Sequence, residues 1–312
     1  MNSFCDLHLH LGGSISRELV ERFALEDHDR HALEALTEAD VLMLFHVVHR
    51  LVNSPERVEI AAEDIIATST ADYLEIRSTP RQFSSKGTFR PYVEAFASAL
   101  RRHPEKATGM LSIDRYRHDL SAARDIIALA LEHPDCIVGI DISGINPPGA
   151  RTLRGDDLAA CIESVLESPL GLAIHVGELE SEKDRRDSTV ALTAIDRWLL
   201  RHPAVTCAGK IRLGHAIFLT EEHVRIIRRH GLPIEICPTC HRYLGCWRNG
   251  REHPVQAVYP ERTSPVVLGT DNALNFSTSF QREKELFTDA FPYDPANGWN
   301  YRFRQFLGAS KD

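Results

Sequence analysis

His8 and His10 stand one residue apart near the start of a 312-residue chain that holds 16 histidines. Alternate residues of a strand point to the same face, so a strand here projects both imidazoles to one side and Leu9 to the other. Two ring nitrogens side by side are a metal-ligand arrangement, although an H-x-H pair also arises by chance on strands. His175-Val-Gly-Glu178 offers a third nitrogen, and Gly177 lets the chain turn so that Glu178 faces the same cavity. A carboxyl beside a metal in a closed, low-dielectric pocket can hold its proton near neutral pH, as a general acid must. The plain alternative for Glu178 is a helix-starting residue in solvent. Gly214-His215 and Gly269-Thr-Asp271 complete the group. Three histidines, one aspartate and a water make a catalytic zinc set with an open coordination position. Zinc lowers the pKa of its water towards 7, and His215 is placed to orient or deprotonate that water. One zinc ion per chain is expected.

Such a set needs a scaffold that gathers distant residues. Short apolar runs alternate with longer segments of helical period along the whole chain. The strands expected are 4–11, 73–78, 109–114, 137–143, 171–176, 211–215, 233–237 and 265–270. Helical patterns lie between them at 90–102, 120–132, 156–167, 190–201 and 221–230, with Thr220-Glu-Glu and Ser188-Thr as starts and Gly231 as a stop. Strands separated by helices pair in parallel. Eight such repeats predict an α/β fold: a single (β/α)8 TIM barrel over residues 1–312, with extra helices after the first strand, across 16–70. An open doubly wound sheet is the alternative, but no G-x-G-x-x-G follows the first strand. In a barrel, catalytic groups lie at the carboxyl ends of the strands. The four motifs fall there in order, a coincidence that no one of them alone would establish.

The 36 Lys and Arg against 44 Asp and Glu give a net charge of −8, which argues against nucleic-acid binding. No apolar run is long enough for a membrane span, and the first residues do not read as a signal peptide. Seven scattered cysteines look like free thiols in a reducing compartment, and a cytoplasmic protein is expected. Oligomeric state has no marker in the sequence.

With these residues in place, the sequence resembles the adenosine deaminase family of zinc aminohydrolases. The matching stretches are Asp6-Leu-His-Leu-His-Leu-Gly-Gly-Ser14, Ile174-His-Val-Gly-Glu178, Arg212-Leu-Gly-His-Ala216, Ile236-Cys-Pro238 and Gly269-Thr-Asp271. Residues 44–81, ending Tyr-Leu-Glu-Ile-Arg-Ser-Thr-Pro-Arg, are most similar to the adenosine-deaminase-like branch, associated with N6-methyl-AMP. The resemblance implies zinc held by His8, His10, His175 and Asp271. It makes Glu178 the donor to the purine ring nitrogen and His215 the residue that positions the attacking hydroxide. Gly144 matches the glycine whose amide meets the purine, and Ser78, Thr79 and Arg81 are candidates for a 5′-phosphate. The implied reaction removes the 6-amino or 6-alkylamino group of a purine nucleotide or nucleoside (N6-methyl-AMP, AMP or adenosine). The alternatives are a zinc aminohydrolase of another heterocycle, such as adenine or a pterin, or a non-catalytic nucleotide-binding relative. Three positions depart from the family pattern. Gly12 replaces an Asp or Asn near the sugar, Asn272 replaces the second Asp of Thr-Asp-Asp beside the purine, and Cys240-His241 replaces Ser-Asn.

Other features have plainer expectations. Cys237-Pro-Thr-Cys240 reads as buried free thiols before half of a structural zinc site. His46 and His49 read as a packed or surface pair on a helix. His241 and His253, with Tyr243 and Trp247, suit either a substrate-covering loop or ordinary loop packing. Glu235 and Asp141 are inward candidates for orienting a liganding histidine. Arg77 and Arg81 suit barrel salt bridges as well as a phosphate. Arg101-Arg102 and Arg228-Arg229 read as solvated faces.

Overall fold

The computed structural model describes residues 4–38, 41–144, 153–205, 207, 209–248, 252–258 and 266–290. Eight parallel strands run in the order of the sequence: β1 (Cys5–His10), β2 (Tyr73–Ser78), β3 (Ala107–Asp114), β4 (Ile137–Ser143), β5 (Gly171–Val176), β6 (Ile211–His215), β7 (Ile234–Ile236) and β8 (Val266–Leu268). The expected strands are all present, trimmed or extended at their ends; Pro265, expected in the last, lies outside the described residues. The sheet curls into a nearly closed TIM barrel, where a parallel bridge between Leu9 and Asp271 joins its two edges.

Helices follow the strands. After β1 come α1 (Leu11–Ser14), which was not expected and takes Leu11 from the expected strand, and then α2 (Arg17–Glu26), α3 (Arg30–Glu38), α4 (Val41–Leu51) and α5 (Pro55–Thr68), the helices expected over 16–70. Then come α6 (Arg90–Arg101), α7 (Leu120–Leu131), α8 (Gly155–Glu167), α9 (Glu182–Arg201), α10 (Glu221–His230), α11 (Pro238–Tyr243), α12 (Val255–Val258) and α13 (Phe280–Ala290). In α6, Val93, Phe96, Ala97 and Leu100 recur at helical spacing and are buried against the sheet, with Pro91 in the first turn, where its missing N–H costs nothing. Thr220 caps α10, and Gly231, at φ +59°, closes it in the left-handed conformation that glycine takes without strain.

One helix departs from expectation. α9 starts at Glu182, capped by the Ser181 side chain, and not at Ser188-Thr. The first two turns read Glu-Lys-Asp-Arg-Arg-Asp-Ser and carry no apolar period, so they are invisible to pattern. Ser188 is buried mid-helix, and its Oγ accepts the Gly177 N–H at 2.9 Å.

The main apolar core lies between strands and helices. Inside the barrel, Cys5, Leu7, Tyr73 and Val267 form one small apolar cluster, and Met110, Val138 and Ala173 another. An ionic layer also occupies the interior. Arg77 donates to Asp141 at 3.1 Å and Glu235 at 2.5 Å, and Arg212 donates to Glu235 at 2.9 Å and Glu75 at 2.5 Å, all fully buried. Arg77 is thus a barrel salt bridge. No helix among the described residues is long and apolar enough to cross a membrane.

Candidate active site

Pairing between β1 and β2 shifts between Asp6 and Leu9, where three steps along β1 match two along β2. This bulge changes the phase of β1. Leu7 faces the barrel interior, then His8 and His10 face it too, while Leu9 joins the outer core. His8 Nδ1 lies 2.9 Å from Glu235 Oε2, and its Nε2 faces the other way. There His8 Nε2 meets His10 Nε2 at 3.2 Å, and Asp271 Oδ1 is 3.8 Å from both. Burial, above all, pushes the His8 imidazole well below its usual pKa and His10 down to about 3. Burial, reinforced by Glu178, raises the Asp271 carboxyl to about 7. Two neutral lone pairs and one carboxylate facing a common point fit a divalent cation with a taste for nitrogen and oxygen.

Asp271 is held by the strand edges it joins. Its N–H donates to His8 O at 2.6 Å, and the His10 N–H donates to Asp271 O at 2.8 Å. One residue earlier, the Thr270 N–H and hydroxyl both donate to Asp6, at 3.0 and 2.5 Å. Asp271, His215 and Ala216 take positive φ values of 65°, 62° and 52°. Such strain in residues with a Cβ persists only where the surroundings impose it, and it gathers at functional sites.

His175 extends the cluster. Its Nε2 is 3.3 Å from Asp141 Oδ1, and its Nδ1 is 3.2 Å from both Glu178 Oε2 and His215 Nε2. His8, His175 and His215 form a second group with metal-binding spacing, and His10, Asp141 and His175 a third. Burial opposes charge on His175, but Asp141 and Glu178 outweigh it and raise the ring to about 10. Burial likewise opposes charge on Glu178, yet His215 and His175 bring it down to about 2. Each of the two groups thus favours the charged form of the other.

The remaining candidates are spread over several places. Gly144 follows β4 at φ +124°, and a Cβ there would come within 2.8 Å of Asp114 and Tyr116, so only glycine fits. Asn272 is buried and donates to Asp271 Oδ1. Thr79 and Arg81 line a cavity of about 440 Å³ at the ends of β2 and β3, together with His49, Arg117, His118 and Asp119. Arg81 donates to the His49 carbonyl, and burial together with Arg117 lowers its guanidinium pKa. Ser78 does not join them: its hydroxyl is buried against Tyr92 OH at 2.9 Å. Arg117, on the loop after β3, has no motif around it and escaped the sequence reading.

The family model for adenosine deaminase matches residues 4–301. The chain belongs to the adenosine deaminase family. It is a hydrolytic deaminase. The N6-methyl-AMP deaminase of Bos taurus is 27% identical over 96% of this chain and 87% of its own length. The apo structure of the N6-methyl-AMP deaminase from Arabidopsis thaliana superposes with a TM-score of 0.75 at 26% identity, covering 93% of this chain and 86% of that one. A structure of an ADAL–IMP complex gives 0.74 at 25%, covering 93% and 86%.

This deaminase differs from its family where the sequence departs from the pattern. A Cβ at Gly12 would meet nothing within 4 Å, so the position leaves open space. A Cβ at Gly13 would lie 2.0 Å from Asn272 Oδ1, so Asn272 fills the room beside that glycine. Cys237 and Cys240 are buried free thiols. His46 and His49 are exposed on α4. Glu75 and Arg212, given no role from sequence, complete the interior ionic layer; their inward phase beside Leu74, Ile76 and Leu213 is the signal that marks them.

Proposed function

We propose that the chain is a zinc-dependent deaminase of purine nucleoside 5′-monophosphates, with N6-methyl-AMP as the leading substrate and AMP beside it. The observation that carries this reading is the convergence of His8, His10 and Asp271 with His175, Glu178 and His215 at one barrel mouth. Relatives named N6-methyl-AMP deaminase, and an ADAL structure holding IMP, support the nucleotide. So does the cavity, where two guanidinium groups, Arg81 and Arg117, flank Thr79.

His8, His10, His175 and Asp271 would hold the zinc. When bound, zinc supplies a Lewis acid that makes hydroxide available near neutral pH. The protein's own groups do the rest. Glu178 delivers a proton to the ring nitrogen beside the amine-bearing carbon. A liganding histidine must be neutral, so bound zinc would disfavour the charged form of His175, whose Nδ1 faces Glu178 at 3.2 Å. His215 faces the attacking oxygen. The Gly144 amide and Asn272 orient the purine, and Thr79, Arg81 and Arg117 take the 5′-phosphate. The departing product is ammonia or methylamine.

Amine release from N6-methyl-AMP, AMP, adenosine and adenine by zinc-loaded and chelated protein tests the reading. Chelator-sensitive turnover of the nucleotides above adenosine is expected, whereas turnover of adenine alone would replace the nucleotide with a free base. Arg81→Ala should lower kcat/KM for a monophosphate by roughly 10- to 100-fold, the worth of a charge-assisted hydrogen bond. The nucleoside should be nearly unaffected, and equal losses on both would remove Arg81 from the phosphate site.

A further inference from the structure

His241 and His253 are buried and have no part in the reaction above. They stand in line with His215. His215 Nδ1 lies 3.1 Å from His241 Nε2, and His241 Nδ1 lies 2.7 Å from His253 Nε2. A row of neutral imidazoles has two proton orders, because each ring donates at one nitrogen and accepts at the other. The far end of this row chooses between them. The Val255 backbone N–H donates to His253 Nδ1 at 3.1 Å. A peptide N–H cannot accept, so His253 carries its proton on Nε2 and donates to His241 Nδ1. His241 then donates from Nε2 to His215 Nδ1. His215, accepting there, keeps its proton on Nε2, the nitrogen 3.2 Å from His175 and 3.7 Å from Glu178.

We propose that His241 and His253 are positioning residues that lock His215 in the Nε2–H tautomer, so that His215 meets the reaction as a hydrogen-bond donor and not as a base. The inference rests on the deaminase reading for its consequence and on geometry for its content. The row is rigid. His241 O accepts the N–H groups of Cys246 and Trp247, both at 3.2 Å, and the Trp247 ring packs against His253 at 5.2 Å between centroids. Burial lowers His253 to about 3 and, with His253 and His215, takes His241 well below the usual histidine range, so both rings stay neutral. A fixed N–H aimed at a growing negative charge on oxygen is what hydrolytic attack on a ring carbon requires. His241 stands where the family pattern has Asn, so this row is written into this chain's own departure.

Nitrogen-15 NMR of the histidine rings in the zinc-loaded protein reads the tautomers with or without turnover. His253, His241 and His215 should each carry the proton on Nε2, and His241→Phe should leave His215 exchanging between tautomers. A proton on His215 Nδ1, or an unchanged single tautomer in His241→Phe, overturns the lock. With N6-methyl-AMP as substrate, His241→Phe should lower kcat roughly 10- to 100-fold at nearly constant KM. His241→Gln, whose amide N–H reaches the same nitrogen, should recover most of it. Equal losses in the two variants, or a loss carried by KM, also overturn it. If the unsubstituted protein deaminates no purine, the functional reading fails, and the tautomer pattern still decides the lock.

Discussion

Glu178 Oε2 lies 3.2 Å from His175 Nδ1, so each group favours the charged form of the other. That makes Glu178 a group whose chemistry depends on its neighbour more than on its own burial. Glu178→Gln keeps the shape and removes the transferable proton. It should retain its metal by elemental analysis and lose roughly 10²- to 10⁴-fold in kcat, the usual worth of a positioned acid; a loss under about tenfold would take Glu178 out of that role. The residues that meet at the barrel mouth were legible in sequence because H-x-H, H-x-G-E, G-H and G-T-D each combine a donor with the glycine or alternation that aims it. Ser78 was not legible, because a hydroxyl in a strand reads the same whether it meets a ligand or, as here, Tyr92. The pairing of His241 with His253 was equally hidden, since it joins a short helix to a loop across twelve residues without a period.

At the level of elements, strands were readable from short apolar runs bounded by turn residues, and helices from their apolar stripe. α9 shows the limit: its first turns are charged, and what fixes them is tertiary, a Ser181 cap and buried Asp184 and Asp187 within 3.9 Å of Arg115. The bulge in β1 was also beyond pattern, because both of its phases place a buried residue inward. Lys210 shows an element end completed from elsewhere in the chain. Its ammonium donates to Ser168 O at 2.7 Å and Leu170 O at 2.8 Å, closing the exit of α8 into β5. Lys210→Met leaves those carbonyls without their donor and should cost about 1–3 kcal/mol, measured by urea unfolding at constant m-value; an unchanged midpoint would show that water replaces the amine freely.

For the whole molecule, the interior of the barrel carries an ionic layer between its apolar clusters, where most barrels are filled by aliphatic layers. Arg77 and Arg212 are the cations, among the described residues, of a layer that also holds Glu75, Glu235 and Asp141. Removing one partner of a buried network strands its opposite charges, so Arg212→Met should cost about 3–5 kcal/mol. The addition of Glu75→Gln should return part of that loss, and thermal unfolding of the two variants measures both; full additivity of the two losses would mean that the residues act independently. The seam that closes the barrel carries a different consequence. His8 and His10 come from one edge and Asp271 from the other, and no ion can find all three until β8 has docked beside β1. A chain still being synthesised lacks the Asp271 carboxylate until its last strand emerges, so a metal held by the whole set would be taken up tightly only at the end of folding and would mark a finished barrel.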